Sequence, residues 1–466
     1  MAIFPLSADR DVINGSGSDD RIVGGTNTLQ TVDNIDGGGG LDILRANVDS
    51  NGVQSPTISN TERLFLDTSG MPIRLSNVTG AEQINTQGAS IVFEDVSQAN
   101  LSARFGAFAV ESGTVNLRFR DGALESMTDT LRLRSDASNV TFTSDSVFDS
   151  TMDGEQNRTE DAARVERLDI LLTGTRDAAQ FDNQVDVSDF SGAERLTLSG
   201  GAKSKITIDS TELELIDASQ TTGGVTVTSD IAGDQRVFGG TGDDDFKTGG
   251  GDDTIVTDRG DDVIDAGAGD NLIRSGPGDD EITAEAGNDT IVSGRGNDRI
   301  DSGSGEDRIV SGDGADRIFA GDQQDVISSG RGDDVVRGGG GDDVIFDDAG
   351  ADTYFGQGDD DRFIAGAGND TFDGGGGQDR FIFDRGAFGT DTVENFQLSS
   401  TPSNNDLVVF EYQGERTVLR SRNDFEIFQA ENPNGITVDQ ATDTITLDAD
   451  DGTIILEASS TDFLMA

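Results

Sequence analysis

Cysteine, histidine and tryptophan are absent from this 466-residue chain. The lack of cysteine excludes disulfides and thiol redox chemistry. The lack of histidine removes the commonest general base and the commonest transition-metal ligand. Basic residues are also scarce, at 33 against 89 acidic residues, and the formal net charge is −56. This balance argues against nucleic-acid binding, which depends on neutralising phosphates with basic side chains.

Long apolar runs are missing as well. No stretch of about 18 apolar residues occurs, so no membrane span is predicted. Residues 1–10 contain no apolar segment of signal-peptide length. Hydrophobic residues make up only 33% of the chain, while the 62 glycines are about twice the usual frequency. This composition is typical of an elongated protein with a thin core.

The glycines are concentrated in a nine-residue repeat, G-G-x-G-x-D-x-U-x, in which U is a large apolar residue. It runs from Val237 to Phe383. The U positions are Phe246, Ile255, Ile264, Ile273, Ile282, Ile291, Ile300, Ile309, Ile318, Ile327, Val336, Ile345, Tyr354, Phe363, Phe372 and Phe381. Such strict phase over many units indicates a repeat architecture.

Each unit has two physical halves. The D-x-U-x half suits a short strand with one inward side chain, because successive strand side chains point to opposite faces. The glycine half suits a sharp turn, since glycine takes positive φ without steric cost. One such strand cannot bury its apolar residue alone, but stacked units can. The sequence therefore predicts an all-β fold, a parallel β-solenoid with two nonapeptides per turn.

The aspartates of the repeat create an electrostatic problem. Loops 18 residues apart would lie roughly 4.8 Å apart, and unscreened repulsion between their carboxylates is on the order of several kcal/mol per pair. A cation between the turns relieves it, and hard oxygen ligands favour Ca²⁺ over Mg²⁺. A disordered acidic tract, the alternative, would not keep an apolar residue in phase. The predicted metal ligands are Asp244, Asp253, Asp262, Asn271, Asp280, Asp289, Asp298, Asp307, Asp316, Asp325, Asp334, Asp343, Asp352, Asp361, Asp370 and Asp379.

These units resemble those of the RTX (repeats-in-toxin) calcium β-roll family. The resemblance implies that the aspartate carboxylates and loop carbonyls of paired turns hold several calcium ions. Two files of eight loops leave at most fourteen inter-loop sites. Filling them would change the net charge from −56 to −28. The resemblance also implies secretion from Gram-negative bacteria by the one-step, type I route, followed by folding in external calcium.

Four further aspartates near the N-terminus carry the same pattern, namely Asp11, Asp20, Asp33 and Asp42. They predict a short RTX-like roll over residues 1–47 with its own calcium ligands. Glycine-rich turns without metal are the alternative.

The remaining regions are less regular. Residues 48–232 lack the glycine signature, but alternating β-branched stretches and a period near twenty predict a wider, irregular β-helix joined to the roll. A β-sandwich is the alternative, and residues 153–163 are predicted as an excursion loop. The calcium roll is assigned to residues 233–384, and a cap with a secretion-signal region to residues 385–466. The tail Thr461–Ala466 resembles type I secretion ends, although a plain final strand suits the residues equally well.

The function expected is structural. The flanking rolls and the middle region together resemble calcium-dependent surface-layer and RTX surface proteins of Gram-negative bacteria. This resemblance implies a secreted protein that self-assembles at the cell surface as a layer, lattice or filament subunit. No catalytic residues and no organic cofactor site are predicted, and we expect no enzyme activity. An adhesin or matrix protein that binds surface polysaccharide is the alternative, and a uronate polymer epimerase or lyase comes third.

Overall fold

The structure is a computed structural model of the chain. It describes residues 2–7, 10–24, 28–30, 33–47, 56–61, 63–67, 72–74, 83–87, 90–96, 108–110, 113–120, 130–135, 140–148, 167–172, 183–187, 193–208, 210–383, 389–397, 405–412, 415–431, 436–439, 444–448 and 452–458. The predicted excursion loop at 153–163 and the tail Thr461–Ala466 lie outside these residues.

The chain divides into two compact units, Met1–Lys247 and Thr248–Ala466. The strands of unit 1 are β1 (Ile3–Pro5), β2 (Val12–Asn14), β3 (Arg21–Val23), β4 (Asn34–Asp36), β5 (Ile43–Asn47), β6 (Thr57–Ser59), β7 (Arg63–Asp67), β8 (Pro72–Arg74), β9 (Gln83–Gln87), β10 (Ser90–Val96), β11 (Phe108–Val110), β12 (Gly113–Arg120), β13 (Thr130–Ser135), β14 (Val140–Phe148), β15 (Arg167–Leu172), β16 (Asn183–Asp186), β17 (Arg195–Gly200), β18 (Ser204–Thr207), β19 (Leu215–Thr221), β20 (Val225–Thr228), β21 (Arg236–Phe238) and β22 (Asp245–Lys247).

Unit 2 continues the strand series and contains one helix. Its elements are β23 (Thr254–Val256), β24 (Val263–Asp265), β25 (Leu272–Pro277), β26 (Glu281–Thr283), β27 (Thr290–Arg295), β28 (Arg299–Asp301), β29 (Arg308–Asp313), β30 (Arg317–Asp322), β31 (Val326–Arg331), β32 (Val335–Gly340), β33 (Val344–Phe346), β34 (Ala349–Gly350), β35 (Thr353–Gly358), β36 (Arg362–Ile364), β37 (Ala367–Gly368), β38 (Thr371–Gly376), β39 (Arg380–Phe383), β40 (Gly389–Phe396), β41 (Leu407–Tyr412), β42 (Glu415–Leu419), α1 (Arg422–Glu431), β43 (Ile436–Asp439), β44 (Thr444–Asp448) and β45 (Gly452–Ala458).

Unit 1 is a parallel β-solenoid. Leu64 pairs with Ile84, twenty residues on, and Leu196 pairs with Ile216 at the same interval. These are the residues of the period-twenty pattern, so that pattern marks successive coils. Coils grow longer where polar insertions occur, as where Thr130 of β13 pairs with Arg167 of β15. The pairing is parallel throughout these strands, as the β-helix prediction requires, whereas a β-sandwich is built from antiparallel sheets.

Unit 2 stacks the nonapeptides with two repeats per coil, as predicted. Consecutive strands fall alternately into two parallel sheets, and the register between neighbouring coils is 18 residues. The inward side chains form two columns with at most 1% exposure. One column contains Ile255, Ile273, Ile291, Ile309, Ile327, Ile345, Phe363 and Phe381, and the other contains Ile264, Ile282, Ile300, Ile318, Val336, Tyr354, Phe372 and Val393.

Aromatic rings fill the columns toward the C-terminal end of the roll. Tyr354 and Phe372 stack with centroids 5.2 Å apart, and Phe363 and Phe381 stack at 5.0 Å. Across the interior, Phe363 meets Phe372 edge to face at 5.7 Å. Both geometries suit the quadrupoles of aromatic rings. The rings therefore pack as a continuous aromatic cluster inside the last coils.

Antiparallel strands close the C-terminal part of unit 2. Strand β41 pairs in parallel with β39 on one side and antiparallel with β42 on the other. In the second sheet, β40 pairs with β45, which forms an antiparallel hairpin with β44. Helix α1 directs Phe425 and Phe428 inward, where they contact Phe396 and Phe410. Such a cap satisfies the open edge of a stack of parallel strands.

Candidate metal centre

The structure places almost all of the predicted ligands inside the coils. Asp11 is partly exposed, and each of the others is at most 2% exposed. The buried ligands are Asp20, Asp33, Asp42, Asp244, Asp253, Asp262, Asn271, Asp280, Asp289, Asp298, Asp307, Asp316, Asp325, Asp334, Asp343, Asp352, Asp361, Asp370 and Asp379. Carboxylates are rarely buried to this degree unless hydrogen bonds or metal ions compensate them.

In unit 2 one oxygen of each aspartate joins neighbouring coils. The backbone N–H of Asp325 donates to Oδ1 of Asp343 (2.9 Å), and the N–H of Asp343 donates to Oδ1 of Asp361 (2.9 Å). The other file repeats the arrangement, with the N–H of Asp316 donating to Oδ1 of Asp334 (2.8 Å). We call these two series the inner aspartate ladders. They place successive carboxylates one coil apart, as the stacking prediction requires.

A second ladder runs on the exposed side of the same loops. Here the side chain that precedes an aspartate of the inner ladders accepts a hydrogen bond from the coil that follows, at most of the loops. The N–H of Asp279 donates to Oδ1 of Asp261 (3.0 Å), and the N–H of Asn297 donates to Oδ1 of Asp279 (2.7 Å). The two ladders point in opposite directions along the chain, so a loop that takes part in both is held to both neighbouring coils.

The second carboxylate oxygen of the inner ladders is left without a hydrogen-bond partner. It is buried in each case, and the residues concerned include Asp280, Asp289, Asp298, Asp307, Asp316, Asp325, Asp334, Asp343, Asp352, Asp361, Asp370 and Asp379. A buried carboxylate oxygen with no donor costs several kcal/mol on the scale of unpaired buried charges. Repeated along a file, this cost requires a compensating cation or a proton.

Burial has a marked effect on protonation. It raises the pKa of Asp325 to about 8, of Asp343 to about 7 and of Asp361 to about 9. The hydrogen bond from the backbone N–H of the preceding coil lowers each pKa, but it offsets the effect of burial only partly. Neighbouring carboxylates raise each pKa further. Left to themselves these groups would take up protons near neutral pH. A bound divalent cation would instead keep them ionised.

Glycine lies beside three of the free oxygens. A Cβ added at Gly338, Gly356 or Gly374 would overlap Oδ2 of the aspartate five residues later in the chain. Glycine therefore keeps the site beside the carboxylate open. With carboxylate oxygens as the donors, the set suits Ca²⁺, which accepts six to eight oxygen ligands in irregular geometry.

Asn271 supports the same interpretation. Its Oδ1 accepts the N–H of Asp253 (3.0 Å), so it keeps its place in the inner ladder. Its Nδ2, a donor where the aspartates have an acceptor, bonds to the carbonyl of Gly269 (2.9 Å). Where the file lacks a charge, an amide nitrogen thus occupies the position next to a loop carbonyl.

The N-terminal aspartates of unit 1 repeat the arrangement at a wider interval. The N–H of Asp20 donates to Oδ1 of Asp42 (2.6 Å), and the N–H of Asp11 donates to Oδ1 of Asp33 (2.9 Å). The interval is 22 residues instead of 18. Hydrogen bonds from Ser16 and Ala2 lower the pKa of Asp20, whereas burial raises the pKa of Asp33.

Two members of the inner ladders lie beyond the predicted ligand set. Asp391 accepts the N–H of Asp370 (2.9 Å), and Asp406 accepts the N–H of Asp379 (3.2 Å). Both are buried. Their intervals of 21 and 27 residues break the nine-residue phase, but each keeps the D-x-U order before an inward valine, which was a usable signal.

The geometry defines a class of protein, a parallel β-solenoid with acidic turns suited to binding metal ions. A family model for the RTX calcium-binding nonapeptide repeat (4 copies) matches residues 7–27, 238–273, 265–300, 274–309, 301–336, 328–362 and 355–387. No match was found among curated proteins. The matched segments are RTX calcium-binding nonapeptide repeats, and calcium is the metal that these repeats bind.

Proteins with these repeats are typically secreted, and this chain is a calcium-binding protein of that extracellular type. Among the described residues, no helix has both the length and the apolar character that a bilayer span requires.

Proposed function

We propose that this protein is a structural component of the cell surface, which is exported by the type I route and assembles with copies of itself in external calcium. The observation that carries this proposal is the first coil of unit 1. Among the described residues, β1 pairs only with β3 and β2 only with β4. Within the part of the chain that the structure describes, each of these strands therefore has one edge without a strand partner.

The side chains of that coil are unusually apolar for a free edge. Ile3 is 69% exposed and Val12 is 57% exposed. Edges that avoid association usually carry charges, prolines or a covering segment. Strand β1 ends in Pro5, but neither β1 nor β2 contains a charged residue. In unit 2 the last parallel strands are covered by antiparallel partners, as described above. The first coil of a second copy presents the same strands and the same edges, so it is the occupant that matches this surface.

Assembly is tested by sedimentation and negative-stain electron microscopy of the full chain with and without millimolar calcium. We expect calcium-dependent assemblies, and we expect Ile3→Lys with Val12→Lys to abolish them without changing calcium binding. Ile427→Lys, on the exposed face of α1, is the matched control and should still assemble. Monodisperse monomers of the native chain at high concentration in calcium would refute the proposal.

Binding of an acidic surface polysaccharide is the second candidate function. A strip of alternating guanidinium groups and rings crosses successive coils on β28, β30, β32 and β35. Arg299 lies 5.0 Å from the ring of Phe319, and Arg337 lies 5.1 Å from the rings of Phe319 and Phe355. Arginine suits carboxylate groups and aromatic rings suit sugar faces. We call this surface the Arg–Phe strip.

The strip is tested by binding of a soluble uronate polymer at fixed, saturating calcium. Because the guanidinium of Arg337 contacts two rings, Arg337→Ala should weaken binding several-fold, roughly as expected for one charge and two cation–π contacts. Arg308→Ala, an exposed arginine on the other sheet, removes the same charge and should bind normally. Equal binding by both variants would exclude the strip. For neither candidate function do we propose catalysis.

A further inference from the structure

Asp347 stands at an unusual position in the repeat. It is the first residue of its nonapeptide, five residues before Asp352. In the same file the preceding coils have a hydroxyl there: Thr257, Ser275, Ser293, Ser311 and Ser329. Each of the first four donates to the backbone carbonyl of the corresponding residue one coil on. The hydroxyl column ends at Asp347.

The end of that column is polar and closed to solvent. Ser329, the last hydroxyl, bonds to the hydroxyl of Tyr354 (2.8 Å). Asp347 is only 7% exposed. Its Oδ2 accepts the backbone N–H of Gly366 (2.8 Å), whereas its buried Oδ1 has no hydrogen-bond partner. A carboxylate with one unsatisfied oxygen thus lies inside the coil at a position where the preceding coils have a hydroxyl.

Asp347 is close to two aspartates of the inner ladder. Single oxygens of Asp347, Asp352 and Asp370 all lie within 4.8 Å of one another. Oδ2 of Asp352 and Oδ2 of Asp370 are also buried and without partners. Among the described residues, no other three acidic side chains come this close together. Elsewhere in the two files, the ladder alone supplies two carboxylates per pair of adjacent coils.

We propose that Asp347, Asp352 and Asp370 form a three-carboxylate calcium site that is tighter than the repeat's other sites and fills first. The affinity of oxygen-ligand sites for Ca²⁺ rises with the number of charged ligands. Adding a third carboxylate to a closed pair therefore raises affinity, by at least about tenfold for one additional charge in a buried site. The inference rests on calcium binding by the repeats and not on assembly or polysaccharide binding.

The position of Tyr354 allows metal binding at this site to be followed by luminescence. The chain has only two tyrosines and no tryptophan, and Tyr354 is fully buried, with Asp347 and Asp352 among the charges that raise its pKa. Terbium(III) binds the same kind of oxygen ligands as calcium and emits when an excited tyrosine lies nearby. Terbium at this site should therefore be sensitised by Tyr354.

The experiment is a terbium titration of the full chain with excitation of tyrosine, followed by displacement with calcium. In the native protein, emission should rise with the first equivalent bound. Asp347→Ser, which continues the hydroxyl column, should shift the midpoint at least about tenfold to higher terbium. Asp348→Ser removes the same charge from the exposed neighbouring residue and should leave the midpoint unchanged.

Further variants decide the remaining outcomes. Tyr354→Phe should bind terbium with the native stoichiometry but lose most of the emission, whereas Tyr412→Phe should retain it. If Asp347→Ser fails to show the native far-ultraviolet circular dichroism at saturating calcium, Asp347→Asn keeps the side-chain shape and should show the same shift. If the native chain and the Asp347 variant give superimposable titrations, the proposed three-carboxylate site is refuted. That result would indicate that the carboxyl groups share a proton instead. Emission that survives in Tyr354→Phe would also overturn it.

Discussion

Calcium and protons should act in opposite directions on the stability of the unit 2 roll. In the presence of a chelator, we expect β structure to be lost at neutral and alkaline pH and to return in part on acidification. In millimolar calcium, we expect the reverse: full β structure at neutral pH and loss in acid. The two curves of β signal against pH should therefore cross.

The sign follows from the buried aspartates. Their pKa values in the folded coil, about 8 for Asp325 and about 9 for Asp361, lie above the value of about 3.9 in an unfolded chain. Without calcium the folded state binds more protons than the unfolded state. Their contribution to stability is then fully present below about pH 4 and is lost as the pH rises through the folded pKa values, about pH 8 to 9. With calcium bound, protons compete with the metal and acid destabilises.

The size of the effect is large enough to decide folding. The pKa of Asp361 moves from 3.8 to about 9, and the whole shift would correspond to roughly 7 kcal/mol at 1.36 kcal/mol per pKa unit. Screening by water near the loops reduces this to about 2 kcal/mol. Three or four such carboxylates already match the 5–15 kcal/mol that typically stabilises a domain. Calcium removal at neutral pH should thus unfold the roll.

The assay is far-ultraviolet circular dichroism of the full chain between about pH 4 and pH 9, in chelator and in calcium. Ionic strength is held constant with sodium chloride, and magnesium at equal concentration serves as the control for simple screening. Magnesium should restore much less signal than calcium, because it demands octahedral geometry and releases its water reluctantly. Full β signal in chelator at pH 8 would refute the reasoning, as would a chelated signal that rises with pH.

Four further predictions concern single residues, each measured by the calcium concentration at half-folding in circular dichroism. Ile309→Ala in the inward column should cost about 2–5 kcal/mol and raise that midpoint. Gly374→Ala should raise it more than Gly376→Ala, because the first Cβ overlaps a ligand oxygen and the second meets its nearest atom at 3.8 Å; equal midpoints would contradict the ligand assignment. Gln323→Gly should stabilise the folded roll by roughly 1 kcal/mol and lower the midpoint, because Gln323 has a φ of 83°. An unchanged midpoint would show that contacts of the Gln323 side chain offset this backbone strain. Asn271→Asp should lower the midpoint by adding a ligand charge, and a higher midpoint would count against calcium there.

The roll could be predicted because its sequence period equals its structural period. A residue such as Ile309 recurs at the same phase in each unit, so one inward position fixes every other. Glycine, aspartate and isoleucine each constrain a different part of the coil, and their agreement left a single architecture. In unit 1 the weaker period still located coils where Leu64 and Ile84 pair.

The details of the site could not be obtained in the same way. The aspartates were expected as metal ligands, but which oxygen joins the coils and which is left free depends on side-chain rotamers. Asp391 and Asp406 were missed because longer connections separate them from their partners. Asp347 was hidden among 89 acidic residues, since its place in the column of hydroxyl residues becomes informative only when its burial is known.

The stacked rings inside the last coils have a consequence for how the chain finds its register. Over most of the roll, one isoleucine is interchangeable with the next, so a slip of one whole coil would leave the packing of those columns almost unchanged. The pairs Tyr354–Phe372 and Phe363–Phe381 break that degeneracy, because a shifted chain would set a ring against an aliphatic side chain. The aromatic residues in the last coils thus fix the pairing register of the coils that precede them.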